Sequence, residues 1–455
     1  MVGDGETRTH PRRWMSPGVM VMLGALCLSC ASPPSRVAPP IAPAGTPSSS
    51  APPSPSSPAP SASVPVAALT GAAGRPLWTR DGTPTDRAVT AGDAVVALER
   101  PAPPSATLVP APTGATPPPA TPTPSGAATA PYRLVVLDAA NGKARATHRL
   151  RGGDGRTAPP GPLTAKAYRG APVAALTRPD PSASGSSIEE AYDPAGRRVW
   201  KSPRDGLRLF GDEGGYATAD GYTKPPIGGP LTPIRQLLTL GGADIVTFGP
   251  ATDEQVAFVH GGVAVVTRGS GFRVVTVARR PRTLWSSSRA APDGFGRATP
   301  IFVLGDRLLV EWDDANSRHL LGLYDLATGR QRWRSASLPG AVTQGAVVAD
   351  ADSHIAVMGS DGAGPTLGVD VRTGRLAWRI ASRQNVRPVA GARGRVYGMS
   401  GDTALAIDAR TGRTTTLGTH VEIVGLTADG VLVLHGATGP ISGRIWALRP
   451  PATGP

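Results

Sequence analysis

The sequence predicts an all-β fold, an eight-bladed β-propeller with seven blades as the alternative count, and three observations carry that prediction. One hairpin phrase recurs along the chain, as "LYDLATGRQRW" (323–333), "LGVDVRTGRLAW" (367–378) and, decayed, "LAIDARTGRTTT" (405–416). Its copies return about every 44 residues, the length of one four-stranded blade at roughly 40 to 50 residues. Between them lie short alternating runs such as "DRLLVEW", "HIAVMG", "GRVYGMS" and "GVLVLHG", separated by Gly or Asp-Gly turns, which are strand and hairpin signals. No segment holds helical periodicity over three turns.

The N-terminus reads as an address. In "RTHPRRWMSPGVMVMLGALCLSCAS" (8–32), Arg8, Arg12 and Arg13 precede an apolar stretch from Val19 to Leu28. That stretch is far short of the roughly 20 residues a bilayer span needs, and it suits the apolar region of an export signal. The "CLSC" segment resembles a bacterial lipoprotein signal, with Ser29 as the small residue before the cleaved bond and Cys27 where that family usually has Leu. The resemblance implies that Cys30 is lipidated; the alternative is an ordinary secretory signal with incidental cysteines. Residues 1–30 are thus expected to be the signal, and the protein to be exported and anchored to the cell membrane or envelope, facing outside the cytoplasm, or else secreted.

Residues 31–73 are almost wholly Pro, Ser and Ala, as in "PPSRVAPPIAPAGTPSSSAPPSPSSPAPSASVP". Such a segment cannot bury enough apolar surface to fold, so it is expected to be a disordered stalk. Pro-rich chain extends roughly 3.1 Å per residue, which gives a reach on the order of 100 Å. The propeller itself is assigned to 74–455. A second tract, "PAPPSATLVPAPTGATPPPATPTPSG" (101–126), interrupts the first repeat and is read as a disordered insertion over 101–130.

A marker column runs through the repeats: Asp138, Asp193, Thr239, Val277, Asp325, Asp370, Asp408 and Arg449. Thr239 holds the place weakly, and losing its blade would reduce the count to seven. The physical sense of the column is a turn. The Asp carboxylate accepts hydrogen bonds from backbone amides of its own turn, and Gly142, Gly196, Gly329, Gly374 and Gly412 take φ > 0 at no steric cost. Trp200, Trp285, Trp333 and Trp378, with Trp78 in the same column, are expected to fill the wedge between blades, since no repeat can bury its apolar face alone. These positions are read as structural and not catalytic.

The C-terminal "RIWALRPPATG" stops just after its turn and lacks a final strand, while "GRPLWTRDG" (74–82) offers the missing half with Trp78 in place. Joined, the two complete a blade, and an N-terminal outer strand closes the ring and removes the free edge. The pattern L-x-x-D-x-x-T-G-x-x-x-W resembles the PQQ-like repeat, which builds the propellers of quinoprotein dehydrogenases and of the lipoprotein of the outer-membrane assembly machine. The resemblance covers 74–455, is specific at 321–334 and 365–379, and is poor from 201 to 270. A stalked, lipidated propeller looks more like the assembly-lipoprotein branch. The enzyme branch carries a vicinal Cys pair and a calcium site, and here the only cysteines are Cys27 and Cys30.

That cysteine usage also excludes a disulfide, a thiolate metal site and a Cys nucleophile from residues 31–455. The seven histidines stand singly, with no zinc spacing and no metal expected. The acidic clusters "EWDDAN" (311–316) and "DADSH" (350–354) match no calcium loop. Glu311, Asp313 and Asp314 are the carboxylates a hydrolase would need in the central funnel. The chain has 47 Lys and Arg against 33 Asp and Glu, a net +14, and only four of the basic residues are Lys. The Arg are scattered and no basic run is interleaved with aromatics, so nucleic acid is not the expected partner. The expectation is a monomeric, cofactor-free, non-catalytic scaffold. It would bind an envelope protein, a peptide added at a blade edge, or an anionic envelope polymer. A PQQ- or metal-dependent oxidoreductase and a polysaccharide-acting enzyme are the alternatives.

Overall fold

The computed structural model describes residues 75–450 apart from 82–84, 101–131, 151–159, 181–186, 204, 211–213, 224–231, 249–253, 339, 343–346, 360–363 and 438–440, together with Leu69 and Ala73. The expected signal at 1–30 with Cys30, nearly all of the 31–73 stalk and the 101–130 insertion lie outside these residues. The two described residues of the expected stalk pack on the apolar cluster shared by the last two blades. No helix among the described residues is long and apolar enough to cross a membrane.

Eight four-stranded antiparallel sheets make eight blades. Strand β1 (Pro76–Arg80) precedes blade 1, which is β2 (Thr85–Ala91), β3 (Ala94–Glu99), β4 (Arg133–Asp138) and β5 (Ala144–Arg149). Blade 2 is β6 (Leu163–Tyr168), β7 (Ala171–Pro179), β8 (Ser187–Tyr192) and β9 (Arg198–Lys201). Blade 3 is β10 (Leu207–Phe210), β11 (Tyr216–Thr223), β12 (Thr232–Thr239) and β13 (Asp244–Phe248). Blade 4 is β14 (Gln255–His260), β15 (Val263–Arg268), β16 (Gly271–Thr276) and β17 (Thr283–Ser286), followed by the single helical turn α1 (Ser287–Ala290). Blade 5 is β18 (Phe295–Leu304), β19 (Arg307–Asp314), β20 (His319–Asp325) and β21 (Gln331–Arg334). Blade 6 is β22 (Val347–Asp350), β23 (Ile355–Met358), β24 (Thr366–Asp370) and β25 (Leu376–Ile380). Blade 7 is β26 (Arg387–Ala392), β27 (Arg395–Ser400), β28 (Thr403–Asp408) and β29 (Thr414–Thr419). Blade 8 is β30 (Val421–Leu426), β31 (Leu432–Gly436), β32 (Ile445–Leu448) and, as its fourth strand, β1.

The closing pair is antiparallel, with Pro76 opposite Leu448 and Arg80 opposite Ile445. The blade that the sequence marks only weakly is present: the Thr239 hydroxyl accepts the Ala243 N–H at 3.0 Å, as an Asp would. Eight blades therefore stand, and the seven-bladed alternative falls. In blade 4 the marker is Thr276 and not Val277, because the Thr276 hydroxyl accepts the Arg282 N–H at 3.0 Å. Val277 takes the next place, donating its N–H to Gly262 O at 2.9 Å.

Middle strands are covered on both sides by neighbouring blades, so they read as near-continuous apolar runs; all six residues of β3 are buried. The core is continuous across the seams. Phe302, Leu309 and Leu323 of blade 5 meet Met358, Leu367 and Val369 of blade 6 in one cluster. The turn after the first strand and the turn after the third lie together on one face of each blade. Their contact is a backbone bond, Leu326 N–H to Asp306 O at 2.8 Å in blade 5 and Ala139 N–H to Asp93 O at 3.1 Å in blade 1. We call this the turn face; the opposite face carries the second-to-third strand loops and the connections between blades.

Candidate functional site

At the turn face each marker closes its own corner. Asp138 Oδ1 accepts the Ala140 and Asn141 amides at 2.9 and 3.2 Å. Asp325 Oδ1 accepts the Thr328 amide and hydroxyl at 2.9 and 2.8 Å. Asp370 takes the Arg372 amide at 2.8 Å, Asp408 the Thr411 amide at 2.8 Å, and Asp193 the Arg197 amide at 2.8 Å. Hydrogen bonds to an ionised carboxylate favour that form. The Thr328 hydroxyl and amide hold Asp325 below the ordinary 3.8, Arg372 does so for Asp370, and Arg145 for Asp138. At Asp408 burial pushes the pKa up, but the Thr411 and Arg410 bonds outweigh it and the net shift is down.

The tryptophans work on the next blade. The indole N–H of Trp285 donates to Leu326 O at 2.9 Å, Trp333 to Val371 O at 2.7 Å, and Trp378 to Ala409 O at 2.7 Å. Trp78 reaches Ala139 O at 2.8 Å and Trp200 reaches Leu240 O at 3.1 Å. In every case the acceptor is the residue just after the neighbouring blade's marker. Four of the five rings also lie on a turn glycine, Trp200 being the exception: a Cβ added to Gly329 would stand 2.6 Å from Trp285, and one on Gly374 2.4 Å from Trp333. Gly142 and Gly412 meet Trp78 and Trp378 in the same way, each at 2.7 Å. The glycine thus answers two demands, φ of +71° at Gly329 and close approach of a foreign ring. Blade 1 has Ala146 in the Trp column, against which Gly196 packs, and His148 Nε2 lies 2.6 Å from Gly196 O. All fifteen repeat residues named from the sequence lie at this face or in the blade seams.

The acidic segment of blade 5 divides between two sides of its strand. Asp314 caps its own hairpin, accepting the Asn316 and Arg318 amides at 2.9 and 2.8 Å. Glu311 and Asp313 point the other way, toward His319 at the start of β20. The imidazole Nδ1 lies 2.5 Å from Asp313 Oδ1 and 3.3 Å from Glu311 Oε1, which also accepts the Val342 N–H at 2.9 Å. Glu311 is fully buried. A cleft of about 410 Å³ opens beside this group on the face opposite the turns, its lining including Ser270, Arg297, Asp313, Asp314, Ser317 and His319. The convergence in the central funnel that a hydrolase would require of Glu311, Asp313 and Asp314 is not met: they sit on the second strand, and Asp314 is taken up by the cap of its own hairpin.

Three ligand atoms from Glu311, Asp313 and His319 fall within 4.8 Å of one another, one short of a tetrahedral set. A carboxylate on Nδ1 also orients an imidazole as it would a general base, but among the described residues no hydroxyl or thiol bonds the ring. His319 escaped the sequence reading because it meets Asp313 only across a hairpin. In the second acidic cluster Asp350 is a backbone anchor, accepting the Ser353 amide at 2.8 Å and the Gly394 amide of blade 7 at 3.1 Å.

A further buried network has no counterpart in the sequence reading. In blade 2 the Glu190 carboxylate accepts Arg178 Nε at 2.8 Å, the Tyr192 hydroxyl at 2.9 Å and Arg198 at 2.6 Å. Burial alone would push the Glu190 carboxyl up, but the Arg178 bonds and charge more than offset it and the net shift is down. Next to it, Glu189 takes Lys166 at 2.6 Å and the Leu209 amide of blade 3 at 3.1 Å, tying blade 2 to blade 3.

The profile of the family described as outer membrane protein assembly factor BamB matches residues 184–452. No curated protein matches the sequence. Among solved structures, BamB from Moraxella catarrhalis is similar at 11% identity over 84% of this chain and 100% of that one, with a TM-score of 0.45. Apo AztD from Citrobacter koseri follows at 12% identity, covering 62% of this chain and 90% of its own, with a TM-score of 0.36. The dihydro-heme d1 dehydrogenase NirN is similar at 15% identity, covering 70% and 72%, with a TM-score of 0.42. At these identities the likeness is to the fold alone.

Proposed function

The chain belongs to the family of outer membrane protein assembly factor BamB, and from that premise we propose that it is a non-catalytic, membrane-anchored scaffold of the cell envelope. The acyl group on Cys30 and the Pro/Ser stalk tether a rigid disc to the bilayer, and the disc presents its loops to a protein or peptide partner. One observation carries this reading. The residues that give the repeat its signature are consumed in holding the ring closed, each Trp bonded to the next blade, so what remains for function is surface. No cofactor enters the proposal, and the propeller acts as a monomer.

The test is cross-linking in intact cells with tagged full-length protein, followed by mass spectrometry, beside a Cys30→Ser control. Reproducible envelope partners that disappear in the control support an anchored scaffold. Partners retained in the control would remove the anchor from the reading, and no protein partner in either sample would remove the scaffold.

A further inference from the structure

At the turn face four of the five marker carboxylates, Asp138, Asp193, Asp325 and Asp370, neutralise one guanidinium each. Arg145 bridges Asp93 and Asp138 at 2.8 Å each, and Arg197, Arg332 and Arg372 pair with Asp193, Asp325 and Asp370 at 2.8, 3.2 and 3.2 Å. A second cation per turn is left over. Arg330, Arg375 and Arg413 occupy the same place in blades 5, 6 and 7, directly after the turn Gly, and all are exposed. Blade 4 departs further. Its corner has Thr276 in place of the acid and then Arg279, Arg280, Pro281 and Arg282, all exposed. Among the described residues none of these arginine side chains meets a carboxylate.

The same face receives the N-terminal segment. Pro76 lies opposite Leu448, the last residue of β32 before its corner, so the chain enters β1 from the side that carries the unpaired arginines. An anchor upstream of β1 would tether the disc by this side. We propose that the turn face is a docking surface for anionic phospholipid headgroups, with the Arg279–Arg282 corner of blade 4 as its most densely charged part. The orientation rests on the membrane-anchored reading above; the charge does not. Phosphate diesters match the planar donor fork of arginine. A basic residue at an anionic bilayer surface strengthens binding by roughly fivefold, so three neutralised arginines correspond to about 100-fold. The effect fades beyond a Debye length, about 8 Å at physiological salt, which requires the face to lie on the bilayer and not above it.

The experiment is vesicle co-sedimentation of the full chain carrying Cys30→Ser, which removes the acyl group. The vesicles are phosphatidylcholine alone or phosphatidylcholine with phosphatidylglycerol. Tighter binding to the anionic vesicles is expected, lost in high salt and weakened about 100-fold by Arg279→Gln, Arg280→Gln and Arg282→Gln together. The charge-matched variant Arg289→Gln, Arg383→Gln and Arg387→Gln, on the opposite face, should bind as the parent does; circular dichroism confirms that both variants are folded. Equal binding to both vesicle types overturns the proposal, as does an equal loss from the opposite-face variant. Binding to soluble polyphosphate as tight as to the anionic vesicles overturns it in favour of a polymer. If envelope partners are still cross-linked in cells while vesicle binding fails, the scaffold reading stands and this inference alone falls.

Discussion

Replacing Gly329 by Ala should cost far more than a turn substitution ordinarily does, and the cost should depend on a residue in another blade. Two terms add. The residue sits at φ +71°, where a side chain costs about 1–2 kcal/mol. The new Cβ would lie 2.6 Å from the Trp285 ring, and such overpacking adds about 1–3 kcal/mol. Trp285 is 5% exposed, stands 5.3 Å from Phe272 edge-on, and bonds Leu326 O. Trp285→Ala alone should therefore cost about 3–5 kcal/mol. Trp285→Phe, which keeps a ring but drops the N–H, should cost about 1–3 kcal/mol because a buried carbonyl loses its donor. In the double variant Gly329→Ala, Trp285→Ala the clash is gone and only the backbone term remains. The sum of the single losses should exceed the double by about 1–3 kcal/mol. Urea unfolding followed by far-UV circular dichroism reads this at constant m. Additivity within about 0.5 kcal/mol would refute the account of why the glycine is needed.

Three other outcomes are expected. Glu190→Ala leaves the half-buried Arg178 and the buried Tyr192 hydroxyl without their carboxylate and should destabilise by about 1–3 kcal/mol, while Glu190→Leu with Arg178→Met recovers most of it; the urea midpoints decide. Deleting residues 1–80 strips β32 of its outer partner β1, so the shortened chain should self-associate more than the full chain does in light scattering. Acid should unfold the protein in a window set by the corner carboxylates. Asp138, Asp325, Asp370 and Asp408 all titrate below 3.8 when folded, so just under that pH the unfolded chain binds more protons than the folded one. Their stabilisation is complete above the ordinary carboxylate range and is lost as pH falls through the folded values. Asp325→Asn should make the urea midpoint less sensitive to pH below about 4 and leave that sensitivity unchanged near neutrality.

The sequence by itself determined the architecture. A blade is built from contacts close along the chain, so its period, alternating strands and Asp–Gly corners are visible without coordinates, even where Thr239 replaces the acid. The closure was legible for the same reason: "RIWAL" lacks one strand and "PLWTR" is one, with Trp78 in register. What the tertiary structure alone decided is who meets whom around the ring. Trp285 and Gly329 are read from one line of text as parts of two separate repeats, and only the stacking of blades lays one on the other. Asp313 and Asp314 look like a pair until the pleat sends them to opposite sides, and His319 joins the first across a hairpin. The off-by-one marker in blade 4 has the same origin, because only the fold shows that the Thr276 hydroxyl, which its neighbour Val277 lacks, faces the Arg282 amide. The placement of the unpaired arginines on the same face as the start of β1 depends on the direction of β1 in the closed ring. Alternation along a strand sets which side a residue faces; what covers that side is set by closure of the ring, a contact hundreds of residues long in sequence and one hydrogen bond long in space.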